Sequence, residues 1–155
     1  MQTMTMRMSA GVLGLMMWVA GGCTDQPNMI PSPDADLRRT NAQFAADAAK
    51  RTYPGDAPRG GEAQAQAEVD HGFLNRIQVI NLSAEDWDEC ELWVNQTYVV
   101  HLKKWAPKQM KIVTFNMLFD NQAQTFPTNN AKVRVAKVEL ARGGKVYDIP
   151  LKLAD

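Results

Sequence analysis

Cysteine and histidine are scarce in this chain, neither sign of charge is in excess, and no apolar run is long enough to cross a bilayer. Among 155 residues there are two cysteines and two histidines. A zinc site needs three or four ligands at recognisable spacing, and His71, His101 and Cys90 do not supply it, so both histidines are expected at the surface. No serine, histidine and acid trio has motif support, and no glycine loop opens a helix to hold phosphate. The chain is therefore expected to be no enzyme and to need no metal or cofactor. Lysine plus arginine total 17, as do aspartate plus glutamate, which excludes the basic excess of a nucleic-acid binder and a polybasic lipid-binding surface.

The first residues are organised differently from the rest. Met1 to Arg7 carries one positive charge, and Met8 to Ala20 is an apolar run ending in Gly21-Gly22-Cys23. A basic start, an apolar centre and small residues at the cut make the layout of a secretory signal. The run is about 13 residues, short of the ~20 that span a bilayer as a helix. Ala20-Gly21-Gly22-Cys23 resembles the lipobox of bacterial lipoproteins, with alanine where leucine is commonest. The resemblance implies cleavage after residue 22, a diacylglycerol on the Cys23 thiol and a fatty acid such as palmitate on the new amino terminus. It implies membrane lipid as a partner through acylated Cys23. Thr24 in the next position implies the outer membrane, periplasmic side, rather than the inner. Arg7 is the only charge in residues 1–22, so cleavage leaves a net charge of −1.

Residues 23–72 read as a spacer. Three prolines between Pro27 and Pro33 suit an extended chain. Ser32-Pro33-Asp34 is a helix-start signal and Lys50-Arg51 suits a helix end, so a helix is predicted over 33–51. Its apolar stripe of Leu37, Phe44, Ala45 and Ala48 is thin, which predicts weak docking. Residues 54–68 lack aromatic and β-branched side chains and read as a flexible linker.

From residue 73 the pattern has period two. Arg76 to Leu82, Glu89 to Val94 and Tyr98 to Leu102 read as strands, the last two joined by a turn at Asn95-Gln96. Met110 to Leu118 reads as another. In Lys132 to Leu140 the apolar parity changes, which a bulge near Val135-Ala136 would repair. Gly143-Gly144 is a hairpin turn leading to a last strand through Tyr147, Ile149, Leu151 and Leu153. Six or seven short strands over 73–155 predict a small antiparallel all-β sandwich, immunoglobulin-like in outline, with a small open β-barrel as the alternative. The paired cysteines of antibody domains are absent, and such a fold implies no function.

Cys90 is in phase with Leu92 and Val94, so it is expected in the core. Trp93 is out of phase with them, and Trp105 lies near a loop. With Tyr98 they are the candidate contact residues, because exposed aromatics stack on ligands and anchor interfaces. The expected function is a lipid-anchored envelope protein whose sandwich is a non-enzymatic interaction or structural module, with an envelope protein as partner. The alternative is a small-ligand or carbohydrate-binding module that uses those aromatics.

Overall fold

The computed structural model describes residues 28–72, 74–130 and 132–153. Residues 1–22 and Cys23 lie outside the described residues. A short 3-10 turn, Ala35–Leu37, is followed by helix α1, Asn41–Ala48. The strands are β1 Arg59–Glu62, β2 Ala65–Asp70, β3 Arg76–Asn81, β4 Trp87–Val94, β5 Tyr98–Trp105, β6 Met110–Thr114, β7 Val138–Arg142, β8 Lys145–Ile149 and β9 Leu151–Leu153. They form two sheets, ordered β1-β8-β7-β4-β5 and β6-β3-β2-β9. This is an all-β sandwich and not a closed barrel. The smaller sheet takes β2, β3, β6 and β9 and the larger β1, β4, β5, β7 and β8, so the chain crosses between the sheets five times.

The inner faces follow from alternation. Ile77 and Val79 of β3, Cys90, Leu92 and Val94 of β4, and Val100 and Leu102 of β5 are all buried. The β4–β5 hairpin turns at Asn95 and Gln96, both with positive φ, a conformation that asparagine tolerates better than most residues. The β7–β8 hairpin turns at Gly143 and Gly144, again at positive φ, where glycine has no steric penalty.

Several expectations are corrected. The described residues hold nine strands, and two pairings are parallel: β1 with β8 and β2 with β9. Residues 59–70, expected as linker, supply β1 and β2. The small side chains of Ala65, Ala67 and Val69 fill the inner face of β2 while Gln66, Glu68 and Asp70 turn outward, so a core strand forms without bulky residues. The predicted 33–51 helix is instead a 3-10 turn and a shorter helix. Thr40 and Gln43 make a reciprocal capping box that starts α1 at Asn41, and Asp34 caps the earlier turn.

The predicted strand 110–118 ends at Thr114, opposite Arg76 where β3 begins. Past that point there is no ladder, and Phe115–Met117 tightens into a 3-10 turn. Likewise 132–137 carries no strand, so the parity change marks the start of β7 and not a bulge. Asn95 holds this segment: its side chain donates to the Arg134 carbonyl and accepts from the amides of Ala136 and Lys137. The last predicted strand breaks at Pro150, where the chain passes from β8 in one sheet to β9 in the other.

Residues 29–53 form a strap over the larger sheet. Met29 bridges Thr40, α1 packs on β5, and Leu37, Phe44 and Ala48 are buried. The helix is docked through Phe44 and Ala48 despite its thin stripe, and the turn before it through Leu37. Asp34 pairs with buried Lys111 of β6, while Asp36 accepts the N–H of Lys103 in β5. The strap therefore links the edge strands of the two sheets.

Candidate functional site

The aromatic residues singled out in the sequence do not share an open face. Trp93 is buried on the outer side of β4, beneath Tyr53, whose ring meets it edge-on at 5.4 Å. Its indole N–H donates to Glu91 at 2.9 Å. Trp105 is also buried; it crosses Trp87 edge-on at 5.2 Å and donates to the Gln109 carbonyl. Tyr98 is half-buried against Phe126, and burial raises its phenol above the ordinary range. Neither tryptophan offers a ring face for a sugar or base, so the stacking surface expected of Trp93, Trp105 and Tyr98 is not present.

The histidines are likewise engaged and not free at the surface. His101 Nε2 lies 2.9 Å from a Glu89 carboxylate oxygen. His71 Nε2 accepts the N–H of Val135 at 3.2 Å, and burial together with nearby Arg134 lowers its pKa. Cys90 is in the core as expected, and burial raises its thiol to about 12. Among the described residues no three His, Cys, Asp or Glu side chains gather as metal ligands. No helix among them is long and apolar enough to cross a membrane.

The fold instead assembles a seam of charged groups between the strap and the outer face of the larger sheet. Arg39 and Arg51 both pair with Asp47 at 3.1 Å. Arg51 reaches on to Glu91 at 2.5 Å, the same carboxylate that holds Trp93. Opposite Trp93 in register stands Glu139 of β7, whose side chain is fully buried. It accepts from the Tyr53 hydroxyl at 3.0 Å and from Arg59 at 2.7 Å, and pairs with Lys137 at 2.8 Å. Burial alone would raise the Glu139 carboxyl, but the hydrogen bonds from Lys137, Arg59 and Tyr53 outweigh it and hold it below its ordinary value. Asp47 is held low in the same way by Arg51 and Arg39 against the opposing effect of burial. Sequence reasoning missed Glu139, Tyr53 and Arg51. The available signal was parity: Glu139 sits between inward Val138 and Leu140, and the cross-strand Trp93 is apolar on a nominally outer face.

A second feature is a cleft of about 260 Å³ beside the β3–β4 crossing. Asn81, buried at the end of β3, donates to the carbonyls of Glu85 and Trp105 and accepts from Ser83. These bonds fix the connection that forms one wall. Trp87, Leu140 and Tyr147 make the apolar surface; Glu62, Glu85 and Arg142 are at the rim. The Arg142 guanidinium lies 5.0 Å from the Trp87 ring centre and 6.0 Å from that of Tyr147. Tyr147 occupies the space above Gly60, where an added Cβ would come within 2.1 Å of the ring. None of the family models, curated proteins or solved structures compared with this chain matches it.

Proposed function

We propose that the chain is a lipid-anchored cell-envelope protein whose β-sandwich serves as a non-enzymatic interaction or structural module. The observation that supports the second half is the use of the ionisable groups. The charged side chains gathered between the strap and the larger sheet are used to fasten the strap: Asp47, Arg51 and Glu91 bond in a chain, and Glu139 holds Tyr53, Arg59 and Lys137. The first half stands on Cys23. Two or more acyl chains hold a protein stably on a membrane, each buried methylene contributing about 0.8 kcal/mol.

The strap sharpens this reading. Six residue steps separate Cys23 from Met29, at most about 20 Å of extended chain. The sandwich would then stand close to the lipid surface and not at the end of a 50-residue tether. An envelope protein is the expected partner, on the periplasmic side of the outer membrane.

The test is Cys23→Ser with fractionation and mass spectrometry. The variant should leave the membrane pellet for the soluble fraction, and the wild-type amino-terminal peptide should carry fatty acids. A variant that still pellets, or a wild-type peptide without acyl chains, refutes the anchor.

A further inference from the structure

In the Trp87–Arg142 cleft the fold leaves a pre-positioned guanidinium without a hydrogen-bonded partner. Arg39, Arg51 and Arg59 each bond a carboxylate at 2.5–3.1 Å. Arg142 makes only a long ion pair: the Glu85 carboxylate, 74% exposed, lies 3.6 Å away, beyond hydrogen-bond length. Yet the guanidinium is not loose. It is seated over the Trp87 ring within the distance of a cation–π contact, and only 29% of the side chain is exposed. An oriented guanidinium with open N–H groups matches a carboxylate, which it can bind with two parallel hydrogen bonds.

Charge and size narrow the ligand. Glu62 and Glu85 stand on the same rim, so one positive and two negative groups surround the opening. A simple anion is repelled by the acids and a simple cation by the arginine. A molecule that carries an ammonium and a carboxylate on one carbon satisfies both sides. The wall beyond is apolar: Tyr147 is partly exposed to the cleft, with Trp87 and Leu140 buried behind it. The volume of about 260 Å³ is below the range of roughly 300–1,000 Å³ for drug-sized ligands, which calls for few heavy atoms.

We infer that this cleft binds a free α-amino acid with an apolar side chain. The carboxylate lies on Arg142, which rests on Trp87, the ammonium faces Glu85 and Glu62, and the side chain packs against Tyr147. The site does not depend on acylation of Cys23.

The probe is L-leucine, titrated into the full chain carrying 5-fluorotryptophan, with the Trp87 fluorine resonance assigned by Trp87→Phe. A saturable shift confined to Trp87 is expected, with Kd at or below about 1 mM. Leucinamide, which lacks the carboxylate, and N-acetylleucine, which lacks the ammonium, should each bind at least about tenfold more weakly. A folded Arg142→Gln variant should show the same loss. The inference is overturned by the absence of a saturable Trp87 shift up to about 10 mM leucine. Equal binding of either derivative, or full binding by folded Arg142→Gln, overturns it as well; the two derivatives test the wild-type chain, so the result does not hang on the variant folding.

Discussion

Replacing Glu139 with glutamine removes one charge from the centre of the seam and should cost about 2 kcal/mol of stability at neutral pH. The figure follows from the surroundings. Removing one partner of a buried charge pair costs about 3–5 kcal/mol when the other charge stays buried. Here the cationic partners can rehydrate, since Lys137 is 40% and Arg59 47% exposed. Glutamine also keeps the volume and still accepts from Tyr53. Both effects reduce the cost, though the amide N–H₂ then faces two other donors.

The pH dependence separates this account from simple loss of packing. A carboxyl held below its ordinary value of 4.5 contributes stability that is complete above that value and is lost as pH falls through the lower folded value. Wild type should therefore lose this contribution on acidification while Glu139→Gln has none to lose, and the gap between them should close. Denaturant unfolding followed by tryptophan fluorescence, extrapolated to water at several pH values from 7 downward, measures it. Equal stability at pH 7, or a gap that stays constant into the acid range, would refute the reasoning.

Two further outcomes follow from buried groups. Cys90→Ala should cost about 1 kcal/mol or somewhat more, and the native thiol, raised to about 12, should resist thiol reagents at pH 8 until the chain unfolds; fast labelling of the folded protein would place it outside the core. His71 accepts the Val135 N–H only when Nε2 is unprotonated. Since burial and Arg134 lower its pKa beneath 6.5, this bond should be complete above pH 6.5 and lost as pH falls through the lower folded value, with Asp70 opposing that shift. Hydrogen exchange at the Val135 amide, corrected for its intrinsic rate, should accelerate accordingly; a flat profile, or one unchanged in His71→Gln, would show that the bond does not hold this segment.

The parts of the fold legible in the sequence are those where burial is decided by the strand itself and its immediate neighbours. Cys90, Leu92 and Val94 alternate because one face of β4 is turned to the core, and the glycines at 143–144 announce their hairpin by backbone geometry alone. β2 was hidden because alanine at 65 and 67 carries little hydrophobic signal, although both are buried as thoroughly as the valines and isoleucines around them. The candidate site failed for another reason. Parity correctly put Trp93 on the face opposite Cys90, but whether that face is wet depends on Tyr53 and Arg51, forty residues earlier, and no local pattern reports such a contact. The cleft was hidden in the same way, since Trp87, Arg142 and Tyr147 meet only once β4, β7 and β8 are paired.

The same non-local packing builds the strap into the domain, so that it is not merely attached to it. An edge strand leaves alternate N–H and C=O groups open to pairing with another chain. On β5 those groups are taken in turn: the Val99 N–H donates to Phe119, the His101 carbonyl accepts from Arg39 and the Lys103 N–H donates to Asp36. Two of the three partners belong to the strap. Pulling the strap away would open the β5 edge and strip Lys111 of Asp34, its buried counter-ion. It would also expose Trp93 and uncover the carboxylates of Glu91 and Glu139. If Cys23 carries the proposed acyl chains, a pull on them reaches the sandwich through this joint. Its many small polar bonds must therefore hold together for the module to stay folded.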